Sequence, residues 1–110
     1  MAISDEYLDY LKDLLAWLPQ LHIKRMFGGA GLYSDELFFA IAGDGDLYLK
    51  ADSKSSEFYK RGGGKQFVYE SKGKVSRMNF WSVPADIQED PEQLRHWVGM
   101  ALDTALRARK

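Results

Sequence analysis

The chain has 110 residues, 45% of them hydrophobic and 28% charged, with a formal net charge of −1 and no cysteine. That length suits one domain with its own core, and the composition lies far from the low-hydrophobicity, high-charge signature of disorder. Disulfides, thiol catalysis, iron–sulfur clusters and cysteine zinc sites are excluded, no apolar run approaches the roughly 18 residues of a membrane span, and the start of the chain is acidic where a signal peptide is basic, so a cytoplasmic protein is expected.

Ser4 is a good N-cap, Asp5 and Glu6 follow where the helix dipole favours acids, and Ile3 is placed to staple onto Leu8. Leu8, Leu11, Leu14, Leu15 and Leu18 then recur at helical spacing, joined by Tyr7 and Trp17, and predict a helix that runs until Pro19. From Ile23 the period becomes two. Lys24–Phe27 and Gly31–Ser34 read as a hairpin, with Gly28, Gly29 and Gly31 as its structural turn, placed where a positive φ or a close strand leaves no room for a side chain. After a turn at Asp35-Glu36, a third strand sets Leu37, Phe39 and Ile41 opposite Phe38, Ala40 and Ala42. Apolar on both faces, it belongs in the middle of the sheet. Gly43-Asp44-Gly45-Asp46 is a turn by composition, and Leu47–Lys50 is a fourth strand with Leu47 and Leu49 on one face, completing an antiparallel meander.

Asp52 or Ser53 can cap a short helix through Phe58-Tyr59-Lys60, with Phe58 as its expected anchor and Gly62-Gly63-Gly64 as its end. Two more strands follow, Gln66–Glu70 and Lys74–Ser82, joined at Ser71-Lys72-Gly73, and Pro84 closes the sheet region. Asp90-Pro91-Glu92-Gln93 starts a last helix whose apolar face carries Leu94, Trp97, Val98, Ala101, Leu102, Ala105 and Leu106, with Arg107, Arg109 and Lys110 complementing its C-terminal dipole. The order is α-β(4)-α-β(2)-α.

Motifs with a chemical meaning are sparse. The first glycine cluster lacks the last glycine of GxGxxG and runs from strand to strand, so no helix N-terminus faces a phosphate. Gly64-Lys65 resembles the end of a Walker loop, but Tyr59 and Gln66 occupy its glycine and hydroxyl positions. His22 and His96 have no partner at metal-site spacing, the calcium-loop reading of Asp44-Gly45-Asp46 fails at Ser55, and no serine lies in a nucleophile elbow. No catalytic residue, metal or cofactor is assigned.

The charge is unevenly spread. Residues 50–77 hold Lys50, Lys54, Lys60, Arg61, Lys65, Lys72, Lys74 and Arg77 against Asp52, Glu57 and Glu70, a surplus of five positive charges that suits an anionic partner or, more simply, a solvated face. The whole chain has fifteen aromatic residues, and Tyr48, Tyr59, Tyr69 and Trp81 among the lysines could stack single-stranded bases or serve as core and edge packing.

Arg25-Met26-Phe27-Gly28-Gly29, Gly31-Leu32-Tyr33, Phe39-Ala40-Ile41, Leu47-Tyr48-Leu49-Lys50-Ala51-Asp52, Phe67-Val68-Tyr69-Glu70, Met78-Asn79-Phe80-Trp81 and Val83-Pro84 together resemble the N-terminal domain family of TfoX, or Sxy, regulators of bacterial competence. Ala30 stands where an aromatic is common in that family, and Gln66 where proline often precedes the Phe-x-Tyr strand. The resemblance implies an α+β fold, a two-layer sandwich of helices packed on a mainly antiparallel sheet, over residues 1–110 as a single domain without the family's helical C-terminal domain. It also implies a non-enzymatic regulatory role through protein contacts in transcriptional control. A nucleic-acid-binding module using the basic 50–77 stretch, with Lys60, Arg61, Lys65 and Lys72 as candidate contacts, is the alternative, followed by a small-molecule-binding module or an enzyme using a pocket between sheet and helices. Arg25, beside the glycine turn, is a further candidate contact, since its planar guanidinium can hold a carboxylate or a carbonyl at the sheet edge, inside the domain or on a partner. A homodimer is a further expectation, because aromatic-rich strands leave an edge or patch that needs cover, whereas no membrane contact is expected.

Overall fold

The computed structural model describes residues 3–26, 28–43 and 45–108. Its elements are α1 (Asp5–Leu14), β1 (Leu21–Met26), β2 (Gly29–Ser34), β3 (Leu37–Ala42), β4 (Leu47–Lys50), α2 (Ser55–Arg61), β5 (Gln66–Ser71), β6 (Lys74–Ser82), α3 (Ala85–Gln88) and α4 (Pro91–Ala108). The six strands form one sheet in the order β1-β2-β3-β4-β6-β5, every neighbouring pair antiparallel. The fold is therefore α+β with helices packed on the sheet, as expected, and the four-residue α3 after Pro84 is the one element that periodicity did not signal.

One face of the sheet carries the core. Strand pairing aligns Ala30 with Ala42, Leu32 with Ala40, Ala40 with Leu49 and Ala42 with Leu47, so these six side chains share a face. They join a single buried cluster with Leu8, Leu11 and Leu15 from the α1 region, Tyr59 of α2, Ile87 of α3 and Leu94, Val98, Ala101 and Ala105 of α4. Among these contacts, α4 lies against β3 and β4. β3 sits inside the sheet, where its two-sided apolar pattern placed it.

The helix starts follow from their caps. Ser4 Oγ accepts the Tyr7 N–H at 3.1 Å, and Ile3 is buried beneath the first turn. α1 ends at Leu14, earlier than Pro19, where the chain tightens into turns with the Ala16 N–H on the Asp13 carbonyl and the Leu18 N–H on the Leu15 carbonyl, and the Trp17 indole N–H donates to the Leu14 carbonyl at 3.2 Å; Leu15 and Leu18 reach the core from the turn beyond. Asp52 Oδ1 accepts from the N–H groups of Lys54 (3.0 Å) and Ser55 (2.9 Å), opening α2. That helix closes with the Gly64 N–H on the Tyr59 carbonyl and the Gly63 N–H on that of Lys60, a Schellman pair. Its anchor is Tyr59 and not Phe58: Tyr59 is fully buried with its hydroxyl donating to the Trp97 carbonyl at 3.0 Å, and burial pushes that phenol's pKa up. Phe58 is half-buried against Trp97 at 5.6 Å. Asp90 caps α4 by accepting from Glu92 and Gln93; Arg109 and Lys110 lie outside the described residues.

The first hairpin differs from expectation in its bounds. β1 begins at Leu21, β2 begins at Gly29, and Met26 pairs with Gly29, so only Gly28 (φ +80°) belongs to the turn, while Phe27 lies outside the described residues. Gly29 and Gly31 are strand residues. A Cβ on Gly29 would strike the Ala42 carbonyl oxygen of the fold's own backbone, and one on Gly31 would lie 2.7 Å from Met26 Cε and 3.1 Å from Phe38 Cε1. The β2–β3 connection is a two-residue turn with Asp35 at φ +49° and Glu36 at φ +68°, the twist that suits a tight hairpin. Beyond it the register shifts: Tyr33 faces Phe38 while Leu32 faces Ala40, which leaves Phe39 as an extra residue. Phe39 and Ala40 are consequently both buried in the core cluster, and Phe38 lies with Tyr33 on the other face, instead of with Ala40 and Ala42.

Two stability measurements test this account. Gly29→Val should lower the melting temperature by about 5–10 °C, since relieving a backbone clash in a packed strand costs about 1–3 kcal/mol. Parental melting would show that β2 and β3 do not approach as described. Asp52 is held well below the usual carboxylate range, first by the Ser55 N–H and then by the Arg107 guanidinium, Nη2 to Oδ2 2.5 Å. A carboxyl group depressed in the folded state contributes stability that is complete above its unfolded pKa and is lost as pH falls toward the folded value. Asp52→Ala should therefore cost about 1 kcal/mol at neutral pH, and the gap from the parent should close as the pH falls below about 4.

Candidate interaction surfaces

Arg25 is engaged within the chain. Its Nη1 donates to the Ile3 carbonyl at 3.1 Å and its Nη2 pairs with Asp5, an ion pair at the surface. The Ile3 N–H in turn donates to the Gly28 carbonyl at 2.7 Å, so the residues ahead of α1 are fastened to the first hairpin from both sides. Beside this corner a shallow groove between α1 and β1 is lined by Asp5, Leu8, Lys12, His22 and Arg25.

The remaining candidate cations do not converge. Lys60 and Arg61 form the exposed last turn of α2, where Arg61 Nε lies 3.7 Å from Glu57 in an i, i+4 pair worth a few tenths of a kilocalorie at most. Lys65 is in the following loop, its N–H donating to Ser82 Oγ and its carbonyl accepting the Ser82 N–H, both at 2.9 Å. Lys72 has φ +51° in the two-residue turn that joins β5 to β6. The length of β5 puts about 20 Å between Lys65 and Lys72.

That turn is the tip of an arm. β4 pairs with β6 only from Phe80 to Ser82, and between Gln66↔Trp81 and Phe67↔Met78 the ladder skips Asn79 and Phe80, so residues 67–78 continue as a two-stranded ribbon beyond the end of β4. On it Val68 is 50% and Val75 59% exposed, large apolar side chains set in solvent without cover. The pairing places Val68 with Arg77 and Glu70 with Val75 on one side of the ribbon, and Phe67 with Met78 and Tyr69 with Ser76 on the other.

The second side of the ribbon is continuous with the helix-free face of the sheet. Phe67 meets Tyr48 edge-on at 5.0 Å, Tyr33 meets Phe38 at 5.1 Å, and Phe38 meets Phe80 at 5.7 Å. Lys50 Nζ stands 5.7 Å over the Phe38 ring. Burial, and next Asp46, raise the Tyr48 pKa. Of the aromatic residues that sequence reasoning grouped, Tyr48 and Tyr69 lie on this face, Tyr59 is in the core and Trp81 packs beside the core. Tyr33, Phe38 and Phe67 were missed as rings of this face, with Phe80 buried among them, because only the Phe39 bulge and the β4–β6 pairing reveal which face they occupy. Among the described residues no three His, Asp or Glu side chains cluster as a metal site, and no helix is long and apolar enough to cross a membrane.

Comparison with known proteins agrees with the pattern of the strands. The TfoX N-terminal domain matches residues 13–105. The chain is 21% identical over 103 residues to DNA transformation protein TfoX1 of Aliivibrio fischeri (strain ATCC 700601 / ES114), covering 94% of this chain and 47% of that protein. It is 26% identical over 96 residues to Protein Sxy of Escherichia coli (strain K12), covering 87% of this chain and 46% of that one. The chain thus spans about half the length of these curated relatives. With the matched region running from the end of α1 through all six strands into α4, the chain belongs to the TfoX N-terminal domain family.

Proposed function

We propose that this chain is a non-enzymatic regulatory domain that acts through protein contacts in the transcriptional control of DNA transformation competence. The similarity to a protein named for DNA transformation supports the process. The observation that carries the mode of action is the β5–β6 ribbon, whose Val68 and Val75 present apolar surface between Glu70 and Arg77. Apolar anchors rimmed by charges of both signs suit a protein surface better than a uniformly charged polymer.

The intact chain, immobilised and exposed to a native bacterial lysate, should retain a transcription-linked protein, and Val68→Glu with Val75→Glu should abolish that retention without changing the melting temperature by more than about 3 °C. Recovery of metabolic enzymes alone, or retention unaffected by the double variant, contradicts the reading. Arg25→Ala separates two roles for the corner beside α1. Loss of its carbonyl bond and exposed ion pair should cost about 1 kcal/mol of stability and leave partner retention intact; unchanged melting with lost retention would assign Arg25 to the partner instead.

A further inference from the structure

The helix-free face of the sheet has a composition of its own. Strand register places His22, Lys24 and Met26 of β1 opposite Tyr33, Gly31 and Gly29 of β2, with Phe38 and Ile41 of β3, Tyr48 and Lys50 of β4, Phe80, Met78 and Lys74 of β6, and Phe67 and Tyr69 of β5 on the same side. Rings touch in sequence from His22 to Tyr33 (6.2 Å), Phe38 (5.1 Å) and Phe80 (5.7 Å), a line that crosses the strands, and Tyr48 with Phe67 makes a second pair beside it. The ionised side chains at strand positions of this face are Lys24, Lys50 and Lys74; among the described residues no carboxylate occupies one, and the acids stand at the rim, Asp46 beside Tyr48, Glu36 beside Phe38 and Lys50, and Asp5 and Asp9 in the groove that Lys24 shares.

We infer that this face is a platform for single-stranded DNA, with bases stacked on its solvent-open rings, His22, Tyr33, Phe38, Phe67 and Tyr69, while Phe80 is buried beside Phe38, and with phosphates held by Lys24, Lys50 and Lys74. Unstacked bases offer flat apolar surfaces that rings and the Met26, Ile41 and Met78 side chains can cover, while the backbone supplies the negative charge that the lysines lack on their own side. A duplex keeps its bases inside and offers the rings nothing. A second copy of the chain is the poorer fit, because two-fold pairing through this face sets its lysines against lysines, with carboxylates only at the rim. Rings and lysines engage bases and phosphates, which DNA and RNA share, and comparison of oligothymidylate with oligouridylate tests the assignment to DNA directly. This surface is distinct from the Val68 and Val75 side of the ribbon and is independent of the protein-contact reading.

The test is fluorescence anisotropy of the full chain with an oligothymidylate of about 15 nucleotides at low salt. Affinity should fall with salt at a log–log slope of about −2, the value for three ammonium groups on a single strand. Lys50→Glu with Lys74→Glu should weaken binding more than tenfold, and Tyr69→Ala, at a side chain 47% exposed and so tolerant of replacement, about tenfold. Lys60→Glu with Arg61→Glu, on α2 in the helix layer, should weaken it less than threefold. No binding at low salt, equal affinity for a duplex of the same length, tighter binding of oligouridylate, or equal loss in the Lys60 and Arg61 variant would each overturn the inference. So would light scattering that shows a dimer dispersed by Lys50→Glu, which would give the face to a second copy.

Discussion

Ala40 and Ala42 on β3 lie beneath a helix that carries Ala101 and Ala105, and small residues on both sides let α4 settle closely onto the middle of the sheet. Each alanine contributes little apolar area, so the gain comes from the close approach, in which Leu47, Leu49, Leu94 and Val98 then touch on several sides. The other helices add to this contact. α1 brings Leu8 and Leu11 to the same face, and α2 inserts Tyr59 behind Trp97, centroids 5.1 Å apart. Because all of these join one buried cluster with the same strand positions, the helices form a single layer and the opposite face of six strands must be covered by its own side chains.

That second face is where the sheet's irregularities act. Strict alternation along β3 would have buried Phe38 with Ala40; the extra residue at Phe39 moves it across, to rest on Tyr33 and Phe80. Gly31 makes room for it, since its neighbours there are the Met26 and Phe38 side chains. Phe80 is 6% exposed although no helix covers it, with Phe38 and Lys50 beside it. Aromatic rings packed edge to face on one another can stabilise an open sheet surface while leaving ring area for a ligand.

What could be read from the chain alone was local. The caps at Ser4, Asp52 and Asp90, the two-sided pattern of β3 and the order of the first strands depend on residues a few positions apart. The places where such reading stops are set by distant pairings. Helical spacing carries α1 onward to Pro19, but the helix stops at Leu14 and Leu15 and Leu18 reach the core from turns. Phe58 and Tyr59 are equal as anchors until the position of Trp97 is known. The charged stretch illustrates the same limit, because Lys60, Arg61, Lys65 and Lys72 are close in sequence yet spread from a helix end to the tip of a ribbon. Lys24, Lys50 and Lys74 are far apart in sequence, and strand pairing assigns them to one face.

The block that carries the family resemblance shows how little of a recognisable motif needs to be binding surface. Arg25 fastens the start of α1 through the Ile3 carbonyl and Asp5, and Gly28 accepts the Ile3 N–H on its carbonyl while turning the chain. Met26 lies over Gly31, and Gly29 clears the Ala42 carbonyl of a strand to which it is not adjacent in sequence. Arg25, Gly28 and Gly29 are committed to holding the first helix, the first hairpin and β3 together at one corner of the sheet. Side chains so committed change a partner's affinity only by moving the fold. Surfaces free to do so directly lie elsewhere, on the ribbon beyond β4 and across the ring-lined face, where substitution leaves the packed cluster beneath α4 in place.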